Sequence, residues 1–544
     1  MRVLPTEAIA ILDPVRRGAV IGERPDLVAD AAACLEEANH ADDAVRILEH
    51  ARAILLSQFF DDLDPGVRAA LAADGAQGRE LLTRHFAARQ RLADELRAGY
   101  SADRGANAPA FRTRLGAWTL PYTNTLEQAR NEAARARKAI DERTSGRRPA
   151  RATTRRRNTP TLILGRVRAR LPPDPIVRFE TLREIADVHG PLVYVAAAER
   201  DGRAFIVTGA HRPVTVRLPE IGTGMARRLR DSMDSAEPAA ALDFSEIAAP
   251  AREAWQWLRQ GLQPLADALR SVMGDGLPLS LVPLGVLGWL PLHTALASQL
   301  GNSRATYGWP AIRYLPSARA LGQTRPPGPE GFLAIEAAGS DQSPAPLRFG
   351  AQQCRWLCDL YGNATLPILR ATRGRVLEQL PKADVCHLHC HGRGTANDPL
   401  DNSLVMTDGQ LTVRDLILNG AVRAQLVVLS ACNGQQGDRT QPDEAMGLPG
   451  SLIQAGAAAV VAPMWPVSEI PTVLLLREFH RARAAGVAGP LALVEAQRWI
   501  STATRADLAA SHPDIFHRAL ALTNKTERIY ADPENWAAFV YIGS

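Results

Sequence analysis

The chain has no apolar run of about 18 residues, so no membrane-spanning helix is predicted. It has only six cysteines in 544 residues, too few for a disulfide framework. The start carries Asp13 inside a short apolar stretch and makes a poor signal peptide. The cytosol, with reduced thiols, is therefore the expected compartment. Lysine is nearly missing: only Lys138, Lys382 and Lys525 occur among 63 basic residues. With 22% charged and 46% hydrophobic residues, the collagen-like and wholly disordered classes are excluded. At about 150 residues per domain the length suggests two to four domains.

The net charge of +5 hints at a nucleic-acid partner until it is located. Arg143, Arg147, Arg148, Arg151, Arg155, Arg156 and Arg157 fall in one tract with no acid, which is +7 by itself. The rest of the chain is then about −2. No aromatics or folded groove accompany the tract, so it reads as a solvated linker and nucleic acid is not expected.

Residues 1–142 read as amphipathic helices. Segment 41–63 places Val45, Ile47, Leu48, Ala51, Ile54, Leu55 and Phe59 on one face. Segments 78–100 and 126–142 continue the pattern, with no clean repeat period. Residues 143–177 form the basic linker. Residues 178–277 form a leading subdomain. In it, 192–218 alternates apolar and polar residues around Asp201-Gly202 as a hairpin plus a third strand, and a single long helix is predicted over 248–274. From 278 to 544 apolar strands at 279–284, 331–337, 384–390, 425–432, 458–465 and 538–543 alternate with helices at 345–361, 371–380, 443–456, 469–485 and 489–503. That alternation predicts a mostly parallel sheet covered on both faces, with reactive groups beyond the carboxyl ends of its strands.

Two of these strands end in reactive residues. DVCHLHC runs into His391-Gly392, and QLVVLSA runs into Cys432-Asn433-Gly434. At neighbouring strand ends an imidazole can lower the thiol pKa, and the thiolate can attack a carbonyl. Adjacent glycines leave backbone N–H groups at Gly392 and Cys432 for an oxyanion. His387, His389 and His391 share a face by period two, opposite Cys386, Leu388 and Cys390. Strung along one strand they span about 13 Å, too far to gather on one ion. No metal and no cofactor is expected. Cys354 and Cys358, four apart on a helix, read as a core face.

Several motifs then occur in order. They are His387-Leu388-x-Cys390-His391-Gly392, Leu429-Ser430-Ala431-Cys432, Asp443-Glu444-Ala445-Met446-Gly447-Leu448, Trp465-Pro466-Val467, and the closing Asn535 to Gly543. In these the chain resembles the CHAT family, caspase-like proteases related to separases, over about 178–544. The helical front resembles, more weakly, the tetratricopeptide arrays that often precede such domains. The resemblance implies an α/β caspase-like domain, preceded by a small hairpin-containing subdomain and an all-helical region. It implies that His391 is the general base and Cys432 the nucleophile of an endopeptidase cutting a partner protein in bacterial defence or regulated cell death. His389 departs from the small residue usual before Cys390.

Asp438, Asp443, Glu444, Trp465 and Glu469 are the substrate-pocket candidates. Asp443 and Glu444 also read as capping residues at a helix start, and Trp465 as core. The opposing class is a catalytically silent caspase-like scaffold that binds a regulatory protein through its helices. Because the dyad lies within 278–544, deletion of residues 1–158 is expected to leave a folded domain with unchanged or greater activity on short peptides, while cutting of its natural protein substrate falls sharply.

Overall fold

The computed structural model describes residues 27–50, 71, 75–85, 87–88, scattered positions in 132–143, 178–199, 201–210, 212–235, 245–273, 277–301, 310–322, 331–337, 347–362, 367–393, 401–419, 422, 424–430, 447–465, 467–516 and 524–544. The basic tract, Arg143 apart, lies outside them, as does most of the predicted helix 126–142.

The strands are β1 (Leu192–Ala196), β2 (Gly202–Val207), β3 (Val214–Leu218), β4 (Leu279–Pro283), β5 (Ile312–Tyr314), β6 (Phe332–Glu336), β7 (Val385–His389), β8 (His391–Arg393), β9 (Ser403–Met406), β10 (Gly409–Thr412), β11 (Leu426–Leu429), β12 (Ala459–Pro463) and β13 (Phe539–Gly543). Ten of them form one sheet in the order β3-β2-β1-β4-β5-β13-β12-β11-β7-β6. Most neighbours are parallel, as the strand–helix alternation predicts, and the fold is α/β. The exceptions are β1/β2, β2/β3 and β12/β13, which are antiparallel. The last of these joins two parallel blocks of opposite direction. In one block β6, β7, β11 and β12 run together and end along one edge of the sheet. Strands such as β11 and β12 are buried at every residue, which is why they read as continuous apolar runs.

Two expectations need correction. The helix predicted over 248–274 is two helices, Ser245–Gly261 and Gln263–Val272, separated at Leu262. Pro264 lacks an N–H and its ring clashes with the preceding turn, so the second helix starts anew with proline in its first turn. A small second sheet, β10-β9-β8, is absent from the sequence reading. Its β9/β10 hairpin turns at Thr407-Asp408 into Gly409, whose φ of 128° only glycine adopts freely. Asp408-Gly409 was an available signal.

The first described helices of the front pack against the leading subdomain. Helices Leu27–Glu37 and Ala41–His50 bury Val28, Leu35, Val45 and Leu48 in one core cluster with Phe179, Tyr194, Phe205 and Leu315 of the leading subdomain and its neighbours. Glu49 is buried and accepts from Tyr194 Oη at 2.8 Å, Ser317 Oγ at 2.6 Å and the Ala318 N–H at 3.2 Å. Deleting residues 1–158 would remove this layer, a contact that the expectation of a separable front leaves out. Losing four buried aliphatic side chains of about 2 kcal/mol each uncovers the apolar faces they packed on. We expect the 159–544 fragment to melt at least about 10 °C below the intact chain, or to aggregate, by scanning calorimetry. An unchanged melting temperature would overturn this.

Candidate active site

The candidate site lies where β6, β7, β11 and β12 end. Strand β7 carries alternating faces, as period two requires. Cys386, Leu388 and Cys390 point into the core cluster that also holds Leu429, Leu448 and Leu452. There burial pushes the Cys390 thiol up to about 12, so it is no nucleophile. His387 and His389 share the other face, with ring centroids 6.3 Å apart.

His391 does not continue that row. The chain leaves the ten-stranded sheet at Cys390, and His391 opens β8, paired with Val405 of β9. The sequence reading placed three histidines on one strand; the second sheet takes the third away. His391 and Gly392 are both half-buried, next to each other at the exit of β7.

Strand β11 lies directly beside β7 in parallel register, Val428 level with His387 and Leu429 with Leu388. The Ser430 N–H donates to the Leu388 carbonyl at 2.9 Å. Strand β12 flanks β11 on its other side. Thus the two strands that carry the candidate reactive residues are neighbours. Cys432 itself, two residues past Ser430 in sequence, lies outside the described residues. So do Asp438, Asp443 and Glu444.

The remaining pocket candidates are described. Trp465 is buried and packs in the same large core cluster as Val467 and Val473. Glu469 opens the helix Glu469–Ala484. Its Oε1 accepts from the Phe349 N–H at 2.7 Å and lies 3.6 Å from His389 Nε2. The latter is an ion-pair distance, longer than a hydrogen bond. Burial pushes the Glu469 carboxyl up, but His389 and the N–H groups of Phe349 and Arg348 outweigh it, so its pKa lies below the usual value.

Behind this row sits a pair of neutral histidines that sequence reading missed. His387 Nδ1 is 3.1 Å from His480 Nε2, and His480 Nδ1 is 3.0 Å from Tyr361 Oη. Burial lowers the pKa of His480 to about 3. Burial, with His480 and His389 nearby, also holds His387 well below its usual value. His480 is mid-helix, with no local motif to mark it. Cys354 and Cys358 are buried with Phe332 and Leu357, the core face the sequence predicts. Among the described residues no three His, Cys, Asp or Glu side chains gather as a metal site. Nor, among them, is any helix long and apolar enough to cross a membrane.

Comparison with known proteins bears on the family of the chain. Residues 248–544, more than half of the chain, match the family model of the CHAT domain. The match leaves the helical front and most of the leading subdomain outside. No curated protein sequence matches. Among solved structures, the Arg-specific cysteine proteinase gingipain R is similar at 13% identity and a TM-score of 0.33, covering 59% of this chain and 74% of its own. The complex of pro- and mature domains of Porphyromonas gingivalis RgpB gives 13% and 0.30, with 59% and 76% covered. The Saccharomyces cerevisiae separase–securin complex gives 8% identity and a TM-score of 0.42. There 99% of this chain is covered but only 39% of the separase-complex chain. The family assignment rests on the sequence match over the segment that supplies β4–β13: the chain belongs to the CHAT domain family.

Proposed function

We propose that the chain is a caspase-like cysteine endopeptidase in which His391 and Cys432 act as a dyad. The observation that carries the reading is the parallel pairing of β7 with β11. The residues leading out of β7 are Cys390-His391, and those leading out of β11 are Ser430-Ala431-Cys432. His391 takes the thiol proton of Cys432, and the thiolate attacks the scissile carbonyl carbon. Backbone N–H groups at Gly392 and Cys432 receive the oxyanion. The C–N bond breaks as His391 returns its proton to the leaving amine. Water, deprotonated by His391, then hydrolyses the thioester and regenerates the thiol. The substrate on this reading is a partner protein, in a regulated bacterial defence or cell-death pathway, and the helical front contributes a regulatory docking surface. These last steps rest on the family resemblance.

The test is a proteome-scale profile of new N-termini produced by the wild-type chain and by Cys432→Ala. Cuts are expected with the wild type alone, lost on treatment with iodoacetamide and retained in EDTA. Cuts that persist in Cys432→Ala would sink the mechanism. No cuts from a folded wild type would favour the silent scaffold.

A further inference from the structure

The sheet order β12-β11-β7-β6 places the end of β11, which leads to Cys432, between its two flanking strands. One carboxylate bridges the surrounding ends. Glu469 follows β12 in sequence. It accepts from the N–H of Phe349, the residue that caps helix Gly350–Leu360 after β6. It also faces Nε2 of His389, the last residue of β7. His389 is 1% exposed, and neither ring nitrogen has a hydrogen-bond partner among the described residues. A buried imidazole without partners is costly, so the facing carboxylate is its compensation. The ring is also wedged. A Cβ at residue 350 would lie 2.6 Å from His389 Cδ2 and 2.9 Å from Glu336 Cγ, so only glycine lets the helix start approach this closely.

We infer that His389 and Glu469 form a positioning clamp: they hold the ends of β6, β7 and β12 at fixed spacing around the end of β11, and so set the approach of His391 to Cys432. The inference rests on the dyad reading. It also assigns Glu469 a role other than binding a basic substrate side chain. Its Oε1 already accepts from the Phe349 N–H, which would lose that partner if the carboxylate turned to a substrate, and it faces the His389 ring.

The experiment compares kcat and KM of wild type, Glu469→Ala, Glu469→Gln, His389→Leu and His389→Gln. Substrates are paired peptides with a basic or a neutral residue before the cut. A shift of about 1 Å in the dyad costs on the order of 100-fold, so Glu469→Ala and His389→Leu are expected to lose about that in kcat. KM should stay nearly unchanged, and the loss should be equal for both peptides. His389→Gln keeps an N–H toward Glu469 and should recover much of the loss, a rescue that lost packing alone would not give. Glu469→Gln keeps the acceptor for Phe349 without the charge, and serves if Glu469→Ala does not fold. A KM rise confined to the basic peptide would overturn the clamp in favour of a substrate pocket. Unchanged kcat in both folded variants would overturn it outright. If the wild type cleaves nothing, the dyad reading fails separately, and the clamp is read from Cys432 alone. Its alkylation by iodoacetamide, followed by peptide mass spectrometry, should then slow in Glu469→Ala; an unchanged rate overturns the clamp.

Discussion

Alanine at either His391 or Cys432 is expected to lower kcat/KM by about 10⁴-fold or more, and the double variant should be no worse than the poorer single one. The reason is that the pair acts as one unit. A thiol without its base is largely protonated at neutral pH, and a base without its nucleophile has nothing to activate. Folding should be little affected by the histidine change. His391 is half-buried, and β8 pairs with β9 through its backbone, His391 level with Val405. The measurement is steady-state cleavage of a peptide found in the N-terminus profile, with melting temperature as control. Additive losses in the double variant would mean that the two residues act independently, which the dyad forbids.

A steep loss of stability on acidification is the second large effect. His480 and His293 are fully buried and neutral, each with its pKa lowered to about 3 by burial. His387 is lowered by the same cause and by the neighbouring imidazoles. In the unfolded chain each titrates near 6.5. Below that pH the unfolded state takes up protons that the folded state refuses. The stability is thus complete above about pH 6.5 and is lost progressively as pH falls toward the folded values. From pH 6.5 to 5 each group costs about 2 kcal/mol, so His293 and His480 together remove about 4 kcal/mol. His387 acts in the same direction. Urea midpoints at pH 7.5 and 5.0 measure this. His293 is held by Tyr314 Oη at 3.1 Å from Nδ1, and a His293→Gln variant should flatten the pH dependence even where its absolute stability is lower. Equal midpoints at both pH values would show that these imidazoles are not neutral and buried in solution.

Much of the architecture was legible because the signals are local. Six apolar strands and five helices of the 278–544 segment lie within a few residues of where their runs predict them, since a strand buried on both faces must be apolar throughout. The hairpin around Asp201-Gly202 pairs as expected, Leu192 with Val207 and Ala196 with Arg203. The cores of Cys354 and Cys358, and of Cys386 and Cys390, follow from helical and strand periods. The second sheet was missed because its strands are only three or four residues long and half-exposed in part, which leaves little period to read.

The amino-acid sequence by itself determined the α/β class, the family, and the strands from which His391 and Cys432 depart, because these depend on residue type and spacing along the chain. Only the tertiary structure decided which elements meet. Nothing local in Glu49 shows that it accepts from Tyr194 and Ser317, or that helix Ala41–His50 packs into the core beside them. Nothing local in His480 points to His387, 93 residues earlier. Nothing local in Glu469 points to the Phe349 N–H, at the start of helix Gly350–Leu360, or to the His389 ring at the end of β7, because only the tertiary fold brings these to its side. Long-range pairing is set by which apolar faces bury together, and that free energy belongs to the whole fold rather than to any segment.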